Sequence, residues 1–367
     1  MKKDGVIVLV GGGTGGHIFP LVAIGEELQG KNVPFVYIGS ENSLEQRIIT
    51  AHRWNFISVN AGKWRRYVSP LSIINNLVDI SNIIRGFFQA VRILRKIDAQ
   101  LVISKGGYVA LPVLYAARVV GCPVIVHESD SVMGVANKIG SKFAVKVLTA
   151  FDVAVFPNAD RRFQKVGIPV RRSLRQSATL RSPKKVRPLI LVLPGSQGST
   201  AINQYIKQSL HLILAKYDIV HLTGEKDYST FVEIKKHLPP DLSTRYKPYS
   251  FIDRELPYYY QSADLIIARS SATTAAEAAL FSKPLYLIPL PGSANDHQQE
   301  NAKHLEAAKA AVVRQQYQLS SYQFLSDINK LFGDKDKLTE FGSNLKNYFD
   351  STNSLANIMS IIADAQK

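Results

Sequence analysis

Residues 8–20 read VLVGGGTGGHIFP, and this glycine-rich stretch decides how the start of the chain folds. The aliphatic run VIVLV ends where the glycines begin, and an apolar helical pattern follows over residues 20–29. Gly11, Gly13 and Gly16 have the G-x-G-x-x-G spacing that joins a strand to a helix in dinucleotide-binding folds. Such glycines let backbone N–H groups point at a negative group beside the helix N-terminus. The stretch therefore predicts a strand, an anion-binding turn and a helix.

Two kinds of site are compatible with this turn. In a dinucleotide-binding enzyme the glycines would hold a pyrophosphate, and Glu41, after the second predicted strand, would bind a ribose. A P-loop is excluded because no Gly-Lys-Ser/Thr ends the run. His17 indicates a different site, since a helix dipole would lower its pKa and leave a neutral general base near pH 7. The structural alternative is a helix-start histidine that bonds only to backbone.

Short aliphatic runs alternate with helical patterns along the chain, which is typical of parallel sheets covered by helices. The alternation runs from VIVLV to PVIVHE and begins again at LILVLPGSQG. We therefore predict an α/β fold with two Rossmann-like, doubly wound domains that face each other across a cleft. The domains are predicted at residues 1–165 and 166–345, with a C-terminal helix, about 346–367, packed on the first. The basic segment 161–187 is predicted as the linker region.

Ligands of open α/β sheets bind at the carboxyl ends of the strands. The two glycine-rich turns, GGGTGG and PGSQG, both follow predicted strands. The loops expected to form sites are residues 11–17, 105–108, 127–130, 194–199, 223–225, 250–253, 269–274 and 291–298.

Composition limits the class of protein. The 367 residues are 46% hydrophobic and 20% charged, which is typical of a folded globular chain. Cys122 is the only cysteine, which excludes an intrachain disulfide and fits a reducing compartment. No apolar run reaches the roughly 18 residues of a spanning helix. The net charge of +16 favours polyanionic partners, but no nucleic-acid-binding motif is present, so a nucleic acid is not expected.

Eight motifs follow one another between about residues 5 and 313. They read GGGTGGHIFPLVAIGEEL, SKGGYVALP, VIVHESDSVMGVANK, VGIPVRR, LPGSQGSTAINQ, DIVHLTG, SFIDRELPYYYQSADLIIARSSATTAAEAAL and IPLPGSANDHQQENAKHL. Together they resemble the ordered motifs of the MurG family. These are bacterial peripheral membrane glycosyltransferases, needed for cell shape and division, that add N-acetylglucosamine to lipid I and so make the lipid II of peptidoglycan. The resemblance implies the GT-B architecture, a UDP-N-acetylglucosamine (UDP-GlcNAc) donor and an undecaprenyl-linked acceptor.

The resemblance places most of the donor site in the second domain. Gln298 and Gln299 resemble the residues that bind the hydroxyls of N-acetylglucosamine, and Ile252 resembles the backbone reader of uracil. Ser196 and Arg171 resemble diphosphate and linker contacts. The family's ribose-binding glutamate and diphosphate-facing helix match Ala272, Thr273, Thr274, Ala275, Ala276 and Glu277. A structural alternative is a capping box from Thr274 to Glu277, at the start of a helix over 274–282.

The first domain is implied to supply the acceptor side. Its wall is expected to contain Gly13, Thr14, Gly15, Gly16, Tyr108, Glu128 and Asn137. Of these, Thr14, Gly15 and Gly16 are also assigned to donor binding, together with Asp130.

Three departures from the family pattern affect the substrate sites. Ser271 stands where the family has glycine, so its Cβ would crowd a close backbone approach. Asp130 places a carboxylate where the family has an amide, and Pro194 replaces a glycine. Each leaves the predicted fold intact but bears on substrate detail and activity.

Sugar transfer needs a base for the acceptor hydroxyl and stabilisation of the leaving diphosphate. We expect His17 to be the base, with inversion at the anomeric carbon. Neither metal nor cofactor is expected, because GT-B enzymes work without one. The only Asp-x-Asp, Asp334 and Asp336, lies in a charged stretch away from every glycine loop.

A lipid acceptor implies a membrane-facing surface. Residues 70–96 contain a helical apolar stripe at 73, 74, 77, 80, 84, 87, 88, 91 and 94, with Arg85, Arg92, Arg95 and Lys96 alongside. Residues 64–67, WRRY, lie just upstream. Such a stripe fits either a core face or an anionic membrane interface, and we expect peripheral attachment to the cytoplasmic side of the cell membrane.

Two other functions fit the same fold. A UDP-GlcNAc 2-epimerase, or a GT-B transferase with another acceptor, would keep the nucleotide site and change the reaction. A catalytically silent membrane scaffold is made conceivable by Ser271 and Asp130, although the retained His17 and Glu277 disfavour it.

Overall fold

The computed structural model describes residues 5–62, 70–181, 185–195 and 198–366, with side chains of the helix that begins at Pro70 described from Val78 onward. They form two compact units. Unit 1 comprises Met1–Arg171 and Asn353–Lys367, and unit 2 comprises Arg172–Thr352.

Unit 1 is a parallel sheet covered by helices on both faces. Labels follow chain order. Its strands are β1 (Val6–Gly11), β2 (Phe35–Gly39), β3 (Phe56–Ser58), β4 (Ala99–Gly106), β5 (Val124–Glu128), β6 (Lys146–Thr149) and β7 (Phe163–Lys165). Its helices are α1 (Gly15–Gly30), α2 (Leu44–Ala51), α3 (Pro70–Lys96), α4 (Ala110–Val120), α5 (Val135–Gly140) and α15 (Ser354–Ala365). The strand order within the described residues is β3-β2-β1-β4-β5-β6-β7.

Unit 2 repeats this design with a second parallel sheet. Its strands are β8 (Leu189–Leu193), β9 (Asp218–Leu222), β10 (Tyr246–Tyr249), β11 (Leu265–Ala268), β12 (Leu285–Leu287) and β13 (Ala311–Val313). Its helices are α6 (Arg172–Ala178), α7 (Thr200–Leu214), α8 (Glu225–Lys236), α9 (Pro240–Ser243), α10 (Leu256–Ser262), α11 (Ala272–Leu280), α12 (His297–Ala307), α13 (Ser321–Gly333) and α14 (Lys335–Phe349). The described strands pair in the order β10-β9-β8-β11-β12-β13, so the prediction of two doubly wound α/β domains is confirmed.

The aliphatic strand runs form because both faces of each sheet are buried. In β1, Ile7 and Leu9 pack on one face against α1 and α15, whereas Val8 and Val10 pack on the other against α3 and α4. This alternation is the two-residue period of a strand. It explains why VIVLV has no polar residue.

Three predicted segments differ from the structure. The first helix begins at Gly15, not at Pro20, because Thr14 is the extended N-cap and both following glycines join the helix. The helix predicted over 274–282 spans Ala272–Leu280. The segment 161–187, predicted as a linker, contains the edge strand β7 and the helix α6. Glycines and prolines were misleading here because the neighbouring packing outweighs their local preferences.

The C-terminal helix α15 completes the core of unit 1. Leu355, Ile358, Met359 and Ile362 are buried in the same cluster as Ile7 and Leu9 of β1. Trp54 also belongs to this cluster. The last helix of the chain therefore covers one face of the first sheet.

Replacing Ile358 by alanine should lower the free energy of unfolding of unit 1 by about 2 to 5 kcal/mol, because a fully buried side chain leaves a cavity. Both tryptophans, Trp54 and Trp64, lie in the first 171 residues, so tryptophan fluorescence during urea titration follows this unit. Ser360→Ala, an exposed change on the same helix, serves as the control. Equal urea midpoints of unfolding for the two variants would contradict the conclusion that α15 completes the core of unit 1.

Candidate active site

The site loops lie where each sheet reverses its strand order. In unit 1, β1 pairs with β4, and in unit 2, β8 pairs with β11. The chain leaves these neighbouring strands toward opposite faces of the sheet, which opens a crevice at their carboxyl ends. The predicted loops 11–17 and 105–108 border the first crevice, and loop 269–274 borders the second together with the described residues of 194–199.

In unit 1 the two crevice loops approach each other backbone to backbone. A Cβ at Gly107 would overlap the carbonyl oxygen of Gly12, and Gly13 and Gly107 have φ of +89° and +85°. At Gly107 a side chain would clash, and at both positions the positive φ would strain any residue other than glycine. The ring of Tyr108 lies 3.1 Å from the position of a Cβ on Gly13, so the structure brings Gly13 and Tyr108 together.

His17 lies in the first turn of α1 and is half-buried. Its Nδ1 is 3.1 Å from the carbonyl oxygen of Gly12 and 3.2 Å from Oγ1 of Thr14. A carbonyl oxygen only accepts hydrogen bonds, so the bond to Gly12 assigns the ring proton to Nδ1. The lone pair that accepts a proton is then on Nε2. The backbone bond and the role of a base are therefore compatible in one tautomer.

Glu45, in the first turn of α2, was not predicted as a site residue, yet it lies beneath the glycine turn. It is fully buried, and its two oxygens accept hydrogen bonds from the backbone N–H groups of Gly13 and Ser40, each at 3.3 Å. A Cβ at Gly12 would be 2.5 Å from Oε1 of Glu45. The sequence signal is weak, because a helix-start glutamate is usually exposed.

The loop after β5 holds a buried polar cluster. Glu128 accepts from Nδ2 of Asn137 and from the backbone N–H groups of Asp130 and Gly134, all at 3.0 Å. Burial raises the pKa of the Glu128 carboxyl, although the positive charge of Lys105 opposes that shift. The structure therefore brings Glu128 and Asn137 together, with Asp130 supporting the loop through its backbone.

Lys105, at the end of β4, is a second buried residue; it lies in the predicted loop 105–108 but was not predicted as a site residue. Burial lowers the pKa of its ammonium, whereas the nearby charges of Glu128 and Asp130 raise it. His127 is held neutral, because burial and the charge of Lys105 lower its pKa well below the usual value. The Asp130 departure thus places its carboxylate near a buried cation, which compensates the added charge.

Arg171 ends the stretch of unit 1 that precedes unit 2. Its guanidinium lies over the ring of Phe19, 4.2 Å from the centroid, a distance typical of a cation–π interaction. Ser196 lies outside the described residues.

In unit 2, α11 begins directly after β11 and its N-terminus faces the crevice edge. Ser271 is the N-cap, and neither Thr274 nor Glu277 forms the predicted capping box. That alternative is wrong because the helix begins two residues before Thr274. Glu277 is instead buried and accepts a 2.7 Å hydrogen bond from the hydroxyl of Tyr260. Ser271 has φ −72° and ψ 126°, a conformation open to any residue, so its backbone is unstrained.

Residues 272–276 form the first turns of this helix. Ala272, Ala275 and Ala276 are buried, whereas Thr273 and Thr274 are half-buried. The small buried side chains let the helix start lie close to the sheet, and its first N–H groups have no helical partner of their own.

Arg269 connects the loops of the second crevice. Its guanidinium donates to the carbonyl oxygens of Ile288 and Pro289, to Oγ of Ser199 at 2.6 Å and to Oε1 of Gln316. Burial lowers the pKa of Arg269 to about 10, so the side chain remains charged at neutral pH. The loop after β8 is therefore fixed to the loops after β11 and β12.

The loop after β12 carries Gln298 and Gln299, both half-buried in the first turn of α12. The side-chain Oε1 of Gln298 accepts a hydrogen bond from the backbone N–H of Leu290. The backbone carbonyl of Gln298 accepts one from Oγ of Ser270 at 2.8 Å. Asn295 and Asp296 both have positive φ, 54° and 52°, a strained backbone of the kind found at ligand sites.

The remaining edge of this crevice follows β8, β9 and β10. Ile252 is buried after β10. A Cβ at Gly198 would overlap the carbonyl oxygen of Thr223, and Nδ2 of Asn203 donates to that same oxygen at 2.9 Å. His221, buried and with a pKa lowered to about 3 by desolvation, is 3.0 Å from Oδ1 of Asn203. These contacts hold Gly198 and the first turn of α7 against the end of β9.

Neither unit holds a recognisable metal centre in its described part. No group of three or more His, Cys, Asp or Glu side chains there is arranged to bind a metal ion. Asp334 caps α14 by accepting from the backbone N–H of Lys337, which is a structural role.

Comparison with known proteins agrees with this arrangement. Residues 7–149 match the glycosyltransferase family 28 N-terminal domain, and residues 189–358 match its C-terminal domain. The crystal structure of Acinetobacter baumannii MurG superimposes with a TM-score of 0.76 at 24% identity, covering 98% of this chain and 99% of that one. The calicheamicin glycosyltransferase CalG4 has a TM-score of 0.71 at 14% identity over 99% and 98% of the chains. The fold is therefore the GT-B architecture that was predicted.

Curated relatives share more of the sequence. The UDP-N-acetylglucosamine–N-acetylmuramyl-(pentapeptide) pyrophosphoryl-undecaprenol N-acetylglucosamine transferase of Geobacillus kaustophilus is 33% identical over 92% of both chains. The protein of the same name from Clostridium botulinum is 31% identical, again over 92% of both. The chain therefore belongs to glycosyltransferase family 28 and, within it, to the MurG family.

Proposed function

We propose that this protein transfers N-acetylglucosamine from UDP-GlcNAc to the muramyl sugar of lipid I, giving lipid II for peptidoglycan synthesis. The observation that supports this most strongly is the likeness to the Geobacillus and Clostridium transferases, which extends over 92% of both chains. From that step, roles in cell wall growth, cell shape and division follow.

The reaction replaces one bond at the anomeric carbon. The acceptor hydroxyl oxygen attacks that carbon from the face opposite the diphosphate. The bond between the anomeric carbon and the phosphate oxygen breaks, and UDP leaves with the bonding electrons. The hydroxyl proton passes to a base, for which we propose Nε2 of His17. The configuration is inverted because attack and departure occur on opposite faces. Backbone N–H groups at the start of α11 would stabilise the charge on UDP.

We assign the donor chiefly to unit 2. Glu277 would accept hydrogen bonds from the ribose hydroxyls, which are charge-assisted and therefore strong. Gln298 and Gln299 would bind the sugar hydroxyls, and the backbone at Ile252 would read the uracil. The diphosphate and linker contacts would come from Ser196 and Arg171. The donor helix positions are Ala272, Thr273, Thr274, Ala275 and Ala276.

The acceptor is assigned to unit 1. The glycine turn would present its N–H groups to the lipid diphosphate, while Tyr108, Glu128 and Asn137 would line the sugar. Thr14, Gly15, Gly16 and Asp130 are proposed to contact the donor as well.

The reaction is tested by incubating the protein with UDP-GlcNAc and a short-chain lipid I analogue in the presence of EDTA. The expected product is the disaccharide lipid together with an equal amount of UDP. A 2-epimerase would instead convert UDP-GlcNAc without any acceptor. A requirement for added metal would contradict the proposal that no metal takes part.

His17→Ala should lower turnover by about a hundredfold to ten-thousandfold, the usual contribution of a general base. The affinity for UDP should stay unchanged, because the donor is assigned to other residues. Turnover in the lipid I assay and calorimetric binding of UDP provide the two readouts. Unchanged turnover would remove His17 from the mechanism.

Glu277→Gln should weaken UDP binding by about tenfold to a hundredfold, because hydrogen bonds to a charged acceptor contribute roughly 1.5 to 3 kcal/mol. Calorimetry with UDP measures the change directly. Glu233→Gln removes an exposed carboxylate from α8 of the same unit and should leave binding unaltered. Similar affinities for the two variants would rule out a ribose contact at Glu277.

We also propose that unit 1 binds the anionic inner face of the cell membrane through α3. Ile84 and Phe88 are 53% and 65% exposed and lie one turn apart, whereas Ala90 and Leu94 are buried in the core. The predicted stripe is thus divided between a core face and a solvent face. Exposed Arg85, Arg92, Arg95 and Lys96 lie on the same helix. Residues 64–67 fall outside the described part of the chain, as do the side chains at 73, 74 and 77.

A spanning helix is not needed for this attachment. None of the helices in the described ranges is long and apolar enough to cross a bilayer. An interfacial helix needs only an apolar line beside basic residues, since its apolar side chains enter the headgroup region while the bases meet anionic lipids.

The double change Ile84→Ser and Phe88→Ser should reduce binding to phosphatidylglycerol vesicles by at least about tenfold, because both apolar side chains lose their burial in lipid. Co-sedimentation at low ionic strength measures the bound fraction, which should also fall as salt is added. Leu212→Ser, at a site 61% exposed on α7 of unit 2, is the matched control. Vesicle binding that is unaffected both by salt and by the α3 changes would contradict the proposed membrane-binding surface.

A further inference from the structure

Glu45 is an unusual buried group, because a carboxylate is rarely placed in a core without a specific use. Its surroundings are adapted to it. Gly12 and Gly39 leave the space that its side chain fills, since a Cβ at either position would lie 2.5 Å from Oε1 and 2.9 Å from Cγ of Glu45. Ser43 caps α2 and accepts from the N–H of Gln46 at 3.1 Å, which fixes the turn from which Glu45 projects.

A continuous path of hydrogen bonds joins Glu45 to His17. Nδ1 of His17 donates to the carbonyl oxygen of Gly12, and the N–H of Gly13 donates to Oε2 of Glu45. That carbonyl and that N–H belong to one peptide group, which is planar and conjugated. A negative charge at its N–H end strengthens its carbonyl as an acceptor, because hydrogen bonds in a chain polarise one another.

We infer that Glu45 is a positioning residue that acts on His17 through the Gly12–Gly13 peptide. It would hold the imidazole in the Nδ1–H tautomer and stabilise the imidazolium that forms when Nε2 takes the acceptor proton. A buried aspartate serves the histidine of serine proteases in the same way by direct contact. Here one peptide group stands between the carboxylate and the ring. The inference rests on the proposed role of His17 as the base.

Other titratable groups face this path from neighbouring strands. Tyr37 of β2 donates from its hydroxyl to the carbonyl of Gly11 at 2.6 Å, and burial together with the charge of Glu45 raises its pKa well above the usual value. Tyr37 therefore stays protonated over the working range. From β4, Lys105 approaches Gly11 and interacts with the charges of Glu128 and Asp130.

The test is Glu45→Gln, which keeps the shape and removes the charge, with Glu41→Gln, an exposed change four residues away, as the matched control. Glu45→Gln should lower kcat by about tenfold to a hundredfold, part of what a general base contributes, with the KM for UDP-GlcNAc unchanged. The acidic limb of the pH profile should move to lower pH, because an imidazolium without its carboxylate loses its proton more readily. Kinetics and a pH profile equal to those of Glu41→Gln would overturn the inference.

A double-mutant cycle separates this role from a structural one. If Glu45 acts through His17, adding Glu45→Gln to His17→Ala should cause no further loss, because the two residues work as a unit. A further loss of similar size would mean that Glu45 only supports the fold, which overturns the inference. Full activity of His17→Ala would instead refute the proposed base itself.

Tryptophan fluorescence during urea titration checks that each variant is folded. Should Glu45→Gln fail to fold, Glu45→Asp replaces it. That change keeps the charge but shortens the side chain, so kcat should fall while the acidic limb stays nearer to its original position. An acidic limb that lies at clearly lower pH than in Glu41→Gln would contradict the inference, because the carboxylate charge is still present.

Discussion

The contact between two glycine turns at the reversal point of the first sheet is the constraint on which the unit 1 site depends. Because β1 and β4 are neighbours, the turns that follow them leave the sheet side by side. Their backbones meet at Gly12 and Gly107, where no side chain fits. The contact fixes the carbonyl of Gly12, which accepts a hydrogen bond from Nδ1–H of His17, and the N–H of Gly13, which donates to Glu45. This single backbone contact therefore orients both the carbonyl of Gly12 and the N–H of Gly13.

Unit 2 combines a close backbone contact between Gly198 and Thr223 with a buried charged side chain at its crevice. The buried guanidinium of Arg269 donates to loops after three different strands. A planar group with five donors suits this role, whereas a lysine would supply one compact charge. With its pKa lowered only to about 10, Arg269 keeps its charge at neutral pH. Its position beside the start of α11 adds to the positive potential there.

Charge compensation also explains how unit 1 accommodates its departure from the family pattern. Asp130 adds a carboxylate next to the buried Glu128, which would be costly without a cation. Lys105 supplies that cation from the neighbouring strand, and both carboxylates influence its pKa. The departure at Asp130 and the lysine at the end of β4 therefore belong to one electrostatic arrangement.

Sequence patterns alone predicted the two doubly wound α/β domains correctly and also the loops at the carboxyl ends of their strands. Aliphatic runs such as VIVLV and LILVL can only be buried on both faces, and glycine-rich turns mark where such strands end. It also singled out His17 and Glu277 through motifs that match the family. The helix starts were predicted less accurately. α1 begins at Gly15 and not at Pro20, and α11 begins at Ala272 and not at Thr274.

What those residues contact depends on folding and is not predicted by local sequence patterns. Glu45 carries only a weak local signal, and loop 105–108 was predicted without the burial of Lys105, because that burial depends partly on strands and helices distant in sequence. The tautomer of His17 and the pairing of Glu277 with Tyr260 likewise depend on atoms brought close by folding. Sequence patterns record periodicity along the chain, whereas hydrogen bonds and desolvation depend on distances in space.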